Sequence, residues 1–188
     1  MLSEEIKEAT KINHQLLEKK LIAIIRSIRN KSDYAQLLVI FYRFFGGLEI
    51  AINSHLDLSC LPDYPHRRKS VALANDLNLL GLAPPQLPNA NELPEINDHF
   101  QATGALYVIE GSTLGGRIIS KIIQQQLNLA DMNGLTFFKG YGDRTYRMWQ
   151  HFKYSIDQVS NESKKNSIIQ SANDTFIQFS KWFDYLRF

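Results

Sequence analysis

Cysteine is almost absent from this chain, because Cys60 is the only one among 188 residues. A single thiol excludes an intramolecular disulfide and a cysteine-built zinc site, and it is typical of a reducing compartment. Excess charge is lacking too, with 21 basic against 19 acidic residues. The one short basic run, His66 to Lys69, is predicted to be a solvated helix start, so nothing favours nucleic-acid binding.

Long apolar runs are also missing. No stretch of about 18 apolar residues is present, and the N-terminal segment MLSEEIKEATK has no apolar run behind a basic stretch. We therefore expect no membrane span and no signal peptide, and we expect a cytoplasmic protein. The length is that of one domain with a sizeable core, so residues 1–188 are predicted to form a single domain.

Alternation of period two is absent over any useful length, whereas apolar residues recur at helical spacing throughout. The predicted fold class is therefore all-α, a single-domain multi-helix bundle. The proline-rich segment 83–97 is predicted to be irregular surface chain, and 128–142 a loop that is pinned onto the core. Helices are expected approximately over residues 3–28, 34–54, 68–80, 98–127, 143–159 and from 161 nearly to 188.

Side chains that favour helix starts stand at several of these boundaries. The residues expected to act as N-caps are Ser3, Ser32, Asp143, and either Ser160 or Asn161. Within the helices, a break near Lys19-Lys20 and a kink at Gly46-Gly47 are left open by the sequence.

The stretch ALYVIEGSTLGGRIIS, residues 105–120, has the pattern of a helix with three glycines at its centre. Each glycine inside a helix costs about 0.5–1 kcal/mol relative to alanine, so Gly111, Gly115 and Gly116 need a compensating reason. Gly111 and Gly115 lie four residues apart and therefore share one face. Bare backbone there permits the close approach of a packed helix or of a flat ligand, and the spacing alone leaves both open.

Among the five histidines, His14 has the most suggestive neighbours. Lys7, Lys11 and Glu18 lie three or four residues apart along the same helix face. A neutral imidazole can ligate haem iron, the carboxylate one turn on can accept the other ring N–H, and the two lysines lie where haem propionates would emerge. A solvated charged stripe is the alternative. The histidines predicted to be surface or structural are His55, His66, His99 and His151.

The two segments suggest one common ligand. A flat, iron-containing, doubly anionic molecule between them would explain both the histidine with its cations and the bare glycine face, and that molecule is haem. Glycines opposite the histidine would leave room for one diatomic ligand on the iron. The sequence shows no HExxH motif, nucleophile elbow or phosphate-binding loop that would favour other chemistry.

These segments resemble the haem oxygenase family. KEATKINHQLLE, residues 7–18, resembles the first-helix motif whose histidine is the proximal iron ligand, and LYVIEGSTLGGRIISK, residues 106–121, resembles the distal helix of bacterial members. The resemblance covers most of the chain, and only the proline-rich middle matches poorly. It implies that His14 is the iron ligand, that Glu18 hydrogen-bonds to it, and that Lys7 meets a propionate.

On the distal side, the resemblance implies that Gly111 and Gly115 touch haem and its bound oxygen, with Gly116 following. Ser112 stands where mammalian members have an aspartate that organises the water network for proton delivery. Bacterial members resembling this chain also have serine there, and a hydroxyl can hold a water chain. The resemblance also implies, from a looser match, that Tyr107 and Lys153 lie on the propionate side of the haem. Phe138 and Phe176 are either part of the pocket wall or ordinary core residues.

The activity implied is the opening of haem to biliverdin, carbon monoxide and ferrous iron, with haem as both substrate and cofactor. Dioxygen is consumed, and an external reductase or ferredoxin must deliver electrons, because no flavin or nicotinamide motif is present. The alternatives are a haem carrier of the same fold without turnover, a thiaminase-like or diiron protein sharing the fold, and a helical interaction protein. The carboxylate-rich cavity that the second of these needs is not evident in the helices.

Overall fold

The computed structural model describes residues 1–129 and 134–186, and in that part of the chain it contains helices and no strand. The prediction of an all-α fold is therefore confirmed. Short 3₁₀ turns cover Tyr64–His66, Ala90–Glu92, Gly142–Arg144 and Phe183–Tyr185. The α-helices are α1 (Leu2–Ser27), α2 (Lys31–His55), α3 (Val71–Leu79), α4 (His99–Leu127), α5 (Thr136–Lys139), α6 (Thr145–Asp157) and α7 (Glu162–Trp182).

Helix α7 is the central packing element, because it lies along both α4 and α1, whereas α1 and α4 have few direct contacts with each other. Aromatic rings fill the region where α7 meets α2. Phe179 stacks on Phe44 with ring centroids 4.6 Å apart, and it meets the edge of Phe41 at 5.0 Å. Aromatic pairs at these separations add stabilisation beyond area burial. The core therefore fixes α7, and α7 sets the positions of α1 and α4.

One of the four predicted caps is confirmed and three are wrong. Asn161 caps α7 by accepting from the Lys164 N–H at 3.1 Å. Ser3, by contrast, lies inside α1 and donates from its N–H and its hydroxyl to the Asp157 carboxylate at 2.7 and 2.8 Å. Asp143 caps nothing, because α6 begins at Thr145 without a side-chain cap. The Ser3 prediction failed because a long-range acceptor from α6 was invisible in the local sequence.

The start of α2 is one turn earlier than predicted. Asn30, not Ser32, is the N-cap, and its side chain accepts from the Asp33 N–H at 2.9 Å. Both helices continue through their suspected interruptions, α1 across Lys19-Lys20 and α2 across Gly46-Gly47.

Gly46 and Gly47 are explained by packing. A Cβ on Gly47 would lie 2.5 Å from Leu93 Cδ1 and 2.9 Å from Pro88 Cγ, and one on Gly46 would lie 2.8 Å from Leu87 Cδ2. The proline-rich segment 83–97 is irregular apart from one 3₁₀ turn, as predicted, but it covers α2 at close range. Glycine is therefore used here to let an irregular chain approach a helix backbone.

Helix α2 is apolar enough, by length and composition alone, to cross a membrane, with a mean hydropathy of 1.5 over its best window. Of that window, 61% is buried inside the fold. A buried core helix gives the same signal, and the aromatic residues of α2 are part of the core. Polar residues interrupt this window, so it does not form one continuous apolar run in the sequence.

Candidate functional site

Helices α1 and α4 run side by side and make contact at two widely separated places. At one end Tyr107 of α4 is buried, and its pKa is raised by that burial, an effect opposed by the neighbouring Thr10 side chain of α1. At the other end Gln126 Nε2 of α4 donates to the carbonyl oxygens of Arg26 and Ile28 at 3.4 and 3.5 Å. Between these contacts lie roughly 24 Å of α1. We call this space the α1–α4 crevice.

On the α1 side of the crevice, His14 is the residue that is not covered by packing. Core-facing residues recur along α1 at helical spacing, and His14 falls within this series, yet its side chain is 50% exposed. A residue on the core-facing side of a helix is normally covered by its neighbours. The exposure therefore marks a gap in the packing opposite His14. The buried residues of the series are Ile6, Thr10, Leu17 and Ile25.

The imidazole of His14 is held by two neighbours. Its Nε2 lies 3.2 Å from Glu18 Oε1, and its ring centroid lies 5.2 Å from that of Phe176 on α7. Glu18 is the partner that the helical spacing predicted. The contact leaves Nδ1 as the ring nitrogen that Glu18 does not engage.

The α4 wall combines bare backbone with uncovered apolar side chains. Tyr107, Gly111, Leu114, Gly115 and Ile118 share one face by their spacing. Only Tyr107 is buried, while Leu114 is 44% and Ile118 65% exposed. A Cβ built on Gly115 would meet no atom of the described residues within 4 Å. This face is apolar, open and free of side-chain bulk at its centre.

Trp149 of α6 forms the boundary of the crevice beside Gly111. Its ring carbon Cη2 lies 3.8 Å from where a Gly111 Cβ would be, and its centroid lies 5.4 Å from that of Tyr107. It also stacks on Phe152 at 5.8 Å, which fixes the indole plane. Trp149 was not singled out by the sequence, because its position depends on the packing of α6 against α4.

Two residues that the resemblance placed at the haem make packing contacts in the structure. A Cβ on Gly116 would collide with the carbonyl oxygen of Phe138, so this glycine serves the packing of α4 against α5. Phe138 is itself core, buried with its ring 5.2 Å from Phe41. The packing alternative therefore holds for Gly116, whereas Gly111 and Gly115 face the crevice.

The predicted propionate-side groups differ in their positions. Lys7 and Lys11 are exposed on the α1 face that carries His14, and Lys11 is 3.2 Å from Glu8. Lys153 is half-buried on α6, which packs against both α1 and α4. The side chain of Tyr107 is buried in the contact between α1 and α4, and its role beside a propionate stays a prediction.

The hydroxyl of Ser112 is hydrogen-bonded to a partly buried arginine. Its Oγ donates to the Ile109 carbonyl at 2.7 Å and accepts from Arg68 Nη2 at 2.6 Å. A serine hydroxyl has one proton and two lone pairs, so one lone pair remains. Ser112 can accept one further hydrogen bond and has no proton left to donate.

Only His66 of the basic run His66 to Lys69 is exposed, so the prediction of a solvated helix start is wrong. Arg67 is fully buried and pairs with the equally buried Glu110 of α4 and with Asp63. Tyr141 donates to Glu110 Oε1 at 2.9 Å. Burial lowers the pKa of Arg67, but the two carboxylates more than offset this and the net shift is upward. Helix α3 consequently begins only at Val71.

Arg68 differs from its neighbour. Burial lowers its pKa to about 10, with Glu110 and Tyr141 opposing the shift. It remains charged at neutral pH. The sequence could not reveal the burial of these two arginines, because all of their side-chain partners except Asp63 lie 41 to 81 positions further along the chain.

The geometry favours a ligand that brings most of its own metal donors. Within residues 1–129 and 134–186, no three histidine, cysteine, aspartate or glutamate residues lie close enough to hold a metal ion. The crevice instead offers one imidazole on α1 and an open apolar face on α4. A single axial histidine with four equatorial donors from the ligand is the arrangement of haem proteins.

Fold and crevice together define an all-α protein with an open apolar face between two of its helices. The family model described as "Heme oxygenase" matches residues 1–185. A curated heme oxygenase from Xanthomonas campestris pv. campestris is 30% identical over 148 residues, which cover 78% of this chain and 86% of that one. The chain belongs to the haem oxygenase family, and its function is that of a haem oxygenase, an oxidoreductase.

Solved structures agree on the fold. The NO- and CO-bound heme oxygenase of Neisseria meningitidis has a TM-score of 0.80 at 20% identity, covering 99% of this chain and 94% of that chain. A heme oxygenase of the cyanobacterium Synechocystis in complex with heme has a TM-score of 0.72 at 19% identity, covering 99% and 92%.

Proposed function

We propose that haem binds in the α1–α4 crevice and is opened there to biliverdin, carbon monoxide and ferrous iron, with dioxygen as co-substrate. The observation that carries the proposal is the exposed His14 within the core-facing series of α1, opposite the open face of Gly115. The family membership of the chain and the heme complex of the Synechocystis neighbour support it. When bound, haem supplies the redox-active iron and the porphyrin ring that is oxidised.

His14 is the proposed axial ligand, and Glu18 its orienting partner. To hold the iron through Nε2, the His14 side chain would take another rotamer in which Nδ1–H donates to Glu18, whose Oε1 now lies 3.2 Å from Nε2. A carboxylate that accepts the second ring N–H fixes the tautomer and makes the imidazole a stronger ligand. Phe176 limits the rotation of the ring from the side of α7.

The distal face is proposed to exclude side chains from the space above the ring. Gly111 and Gly115 leave only backbone there, and Leu114 and Ile118 supply apolar contact on either side. Burying those two exposed side chains against a porphyrin would stabilise the complex at about 25 cal/mol per Å² of apolar surface. Trp149 closes one end of the crevice, so a bound molecule is confined in one direction.

Cations at the rim are proposed to hold the two propionates. Lys7 and Lys11 on α1 and Lys153 on α6 are the candidates, because they lie on elements that border the crevice. Exposed ion pairs of this kind contribute about 0.2–1 kcal/mol each, so they orient the ligand more than they determine its affinity.

Ser112 is proposed to anchor water on the distal side. Because its proton is donated to the Ile109 carbonyl, a water on its remaining lone pair must be the donor. That water therefore presents its other proton and its lone pairs to the space beside Gly111. The serine thus takes up a proton-organising role without being a proton donor itself.

The electrons are proposed to come from an external reductase or ferredoxin, since the chain has no motif for a flavin or a nicotinamide. A cytoplasmic location is part of the proposal. It is supported by the free, exposed thiol of Cys60, which is typical of a reducing compartment.

Turnover is tested by titrating the protein with ferric haem, adding a reductase system under air, and separating the products by chromatography. We expect a biliverdin band and a loss of the Soret band. An unchanged Soret band under the same conditions would support a haem carrier instead. His14→Ala is the control that separates turnover in the crevice from oxidation of loosely bound haem.

A further inference from the structure

Arg68 is a partly buried arginine whose guanidinium bonds only to neutral acceptors. Its Nη2 donates to the Ile109 carbonyl at 2.8 Å and to Ser112 Oγ at 2.6 Å, and its Nη1 donates to the Phe137 carbonyl at 3.3 Å. Its Nε is buried without a partner among the described residues. The guanidinium carbon lies 3.8 Å above the Phe137 ring.

The adjacent Arg67 is a buried cation whose charge is neutralised by carboxylates. Arg67 reaches two carboxylates, Glu110 and Asp63. No carboxylate of the described residues lies within ion-pair distance of Arg68, although Glu110 is near enough to act on it through its field. The charge of Arg67 is therefore compensated by direct pairing, and that of Arg68 is not.

The hydrogen bonds of Arg68 do not explain why a charge is kept there. The Ile109 carbonyl already accepts from the Ser112 hydroxyl at 2.7 Å, and the Phe137 carbonyl accepts from the Gly140 N–H at 3.1 Å. Removing the guanidinium would leave neither carbonyl without a donor. Burying an unpaired charge is costly, and such groups concentrate at functional sites.

We propose that Arg68 stabilises an anion bound on the Gly111–Ser112 side of the haem, acting through the Ser112 hydroxyl that it holds. This inference rests on the proposed haem site. Arg68 is a positioning residue, because Ser112 stands between it and the crevice. Its charge favours a negatively charged distal ligand over a neutral one of similar size.

The geometry explains why the effect is specific for anions. Ser112 is polarised by the guanidinium at 2.6 Å and has its proton on the Ile109 carbonyl. It cannot donate to a distal ligand directly, so what reaches the crevice is the field of Arg68 and a water that donates to Ser112. In a low-dielectric site such a field acts over several ångströms.

The test compares azide, an anion, with imidazole, a neutral ligand, in absorption titrations of the ferric haem complex at one pH. Arg68→Met removes the charge, and Arg68→Lys keeps a charge without the planar fork. Arg144→Met, at an exposed arginine, is the matched control. We expect Arg68→Met to weaken azide on the order of tenfold, to leave imidazole within about twofold, and to be largely rescued by lysine.

Equal losses for azide and imidazole in Arg68→Met would overturn the inference, because they would indicate a packing role. Unchanged azide affinity would overturn it as well. The failure of the proposed function looks different, since the unmodified protein would then form no complex with a histidine-ligated haem spectrum. Circular dichroism of each variant confirms that it is folded.

Discussion

Arg67 and Glu110 form an ion pair in which both side chains are buried, 0% and 1% exposed, with Nη1 2.5 Å from Oε2. The pair joins the loop before α3 to the middle of α4, 43 positions further along the chain. It therefore fixes the turn of α4 immediately before Gly111. Removing one member of such a pair leaves an uncompensated buried charge.

Arg67→Met is expected to lower the free energy of unfolding by about 3–5 kcal/mol, because Glu110 loses its partner. Urea unfolding of the haem-free protein, followed by circular dichroism, measures this. Glu110→Gln should be destabilising for the same reason. A loss below about 1 kcal/mol in Arg67→Met would contradict the pairing.

Arg68→Met, one position further, is expected to change the free energy of unfolding by no more than about 1 kcal/mol, because no carboxylate and no carbonyl loses its only partner. The same urea experiment compares the two variants directly. If Arg68→Met proved as destabilising as Arg67→Met, the charge of Arg68 would have a structural role that the geometry does not show.

Gly115 and Gly116 offer a matched pair of substitutions. Gly116→Ala is expected to cost about 2 kcal/mol or more, because the new Cβ collides with the Phe138 carbonyl oxygen. Gly115→Ala is expected to stabilise the haem-free protein by up to about 1 kcal/mol, because its Cβ enters open space and alanine favours the helix. Thermal unfolding of both variants checks the order.

For haem binding, in contrast to stability, Gly115 is expected to be the more sensitive of the two positions. A bulky residue at Gly115, such as leucine, is expected to weaken haem binding or to alter the iron's sixth coordination position, because that face borders the crevice. Titration with ferric haem measures the affinity. Normal affinity and spectrum in Gly115→Leu would contradict the distal role of this glycine.

Asp33 gives a prediction for the pH dependence of the free energy of unfolding. Its pKa is lowered from 3.8, mainly by the hydrogen bond from the Arg29 N–H, while burial opposes the shift. A depressed folded pKa contributes stability that is present above 3.8 and is lost as the pH falls through the folded value. The stability difference between the unmodified protein and Asp33→Asn should therefore shrink from about pH 5 to about pH 3. A difference that stays constant would contradict it.

The sequence predicted the parts of the molecule that depend on local spacing. The bounds of α4 were right within one residue, and the Glu18 partner of His14 follows from its position one turn later. Gly111 and Gly115 were placed on one face for the same reason. Such features depend on helix geometry, which a single segment already contains.

The sequence could not predict what depends on distant chain segments. Arg67 looked like part of a solvated basic run because Glu110 comes much later, and Ser3 looked like a cap because Asp157 belongs to α6. Gly116 could not be distinguished from Gly115 in the sequence, because only the packing of α5 against α4 separates their roles. In each case, tertiary packing decided between two roles that local propensity left equal.

The central claim is that His14 provides the axial ligand to haem in the α1–α4 crevice. The most direct measurement is the resonance Raman spectrum of the ferrous haem complex, in which a five-coordinate histidine-ligated iron has an iron–histidine stretching band. His151→Ala, at an exposed histidine of α6, is the control. We predict that His14→Ala abolishes the band and that His151→Ala retains it. An unaltered band in His14→Ala would contradict the account.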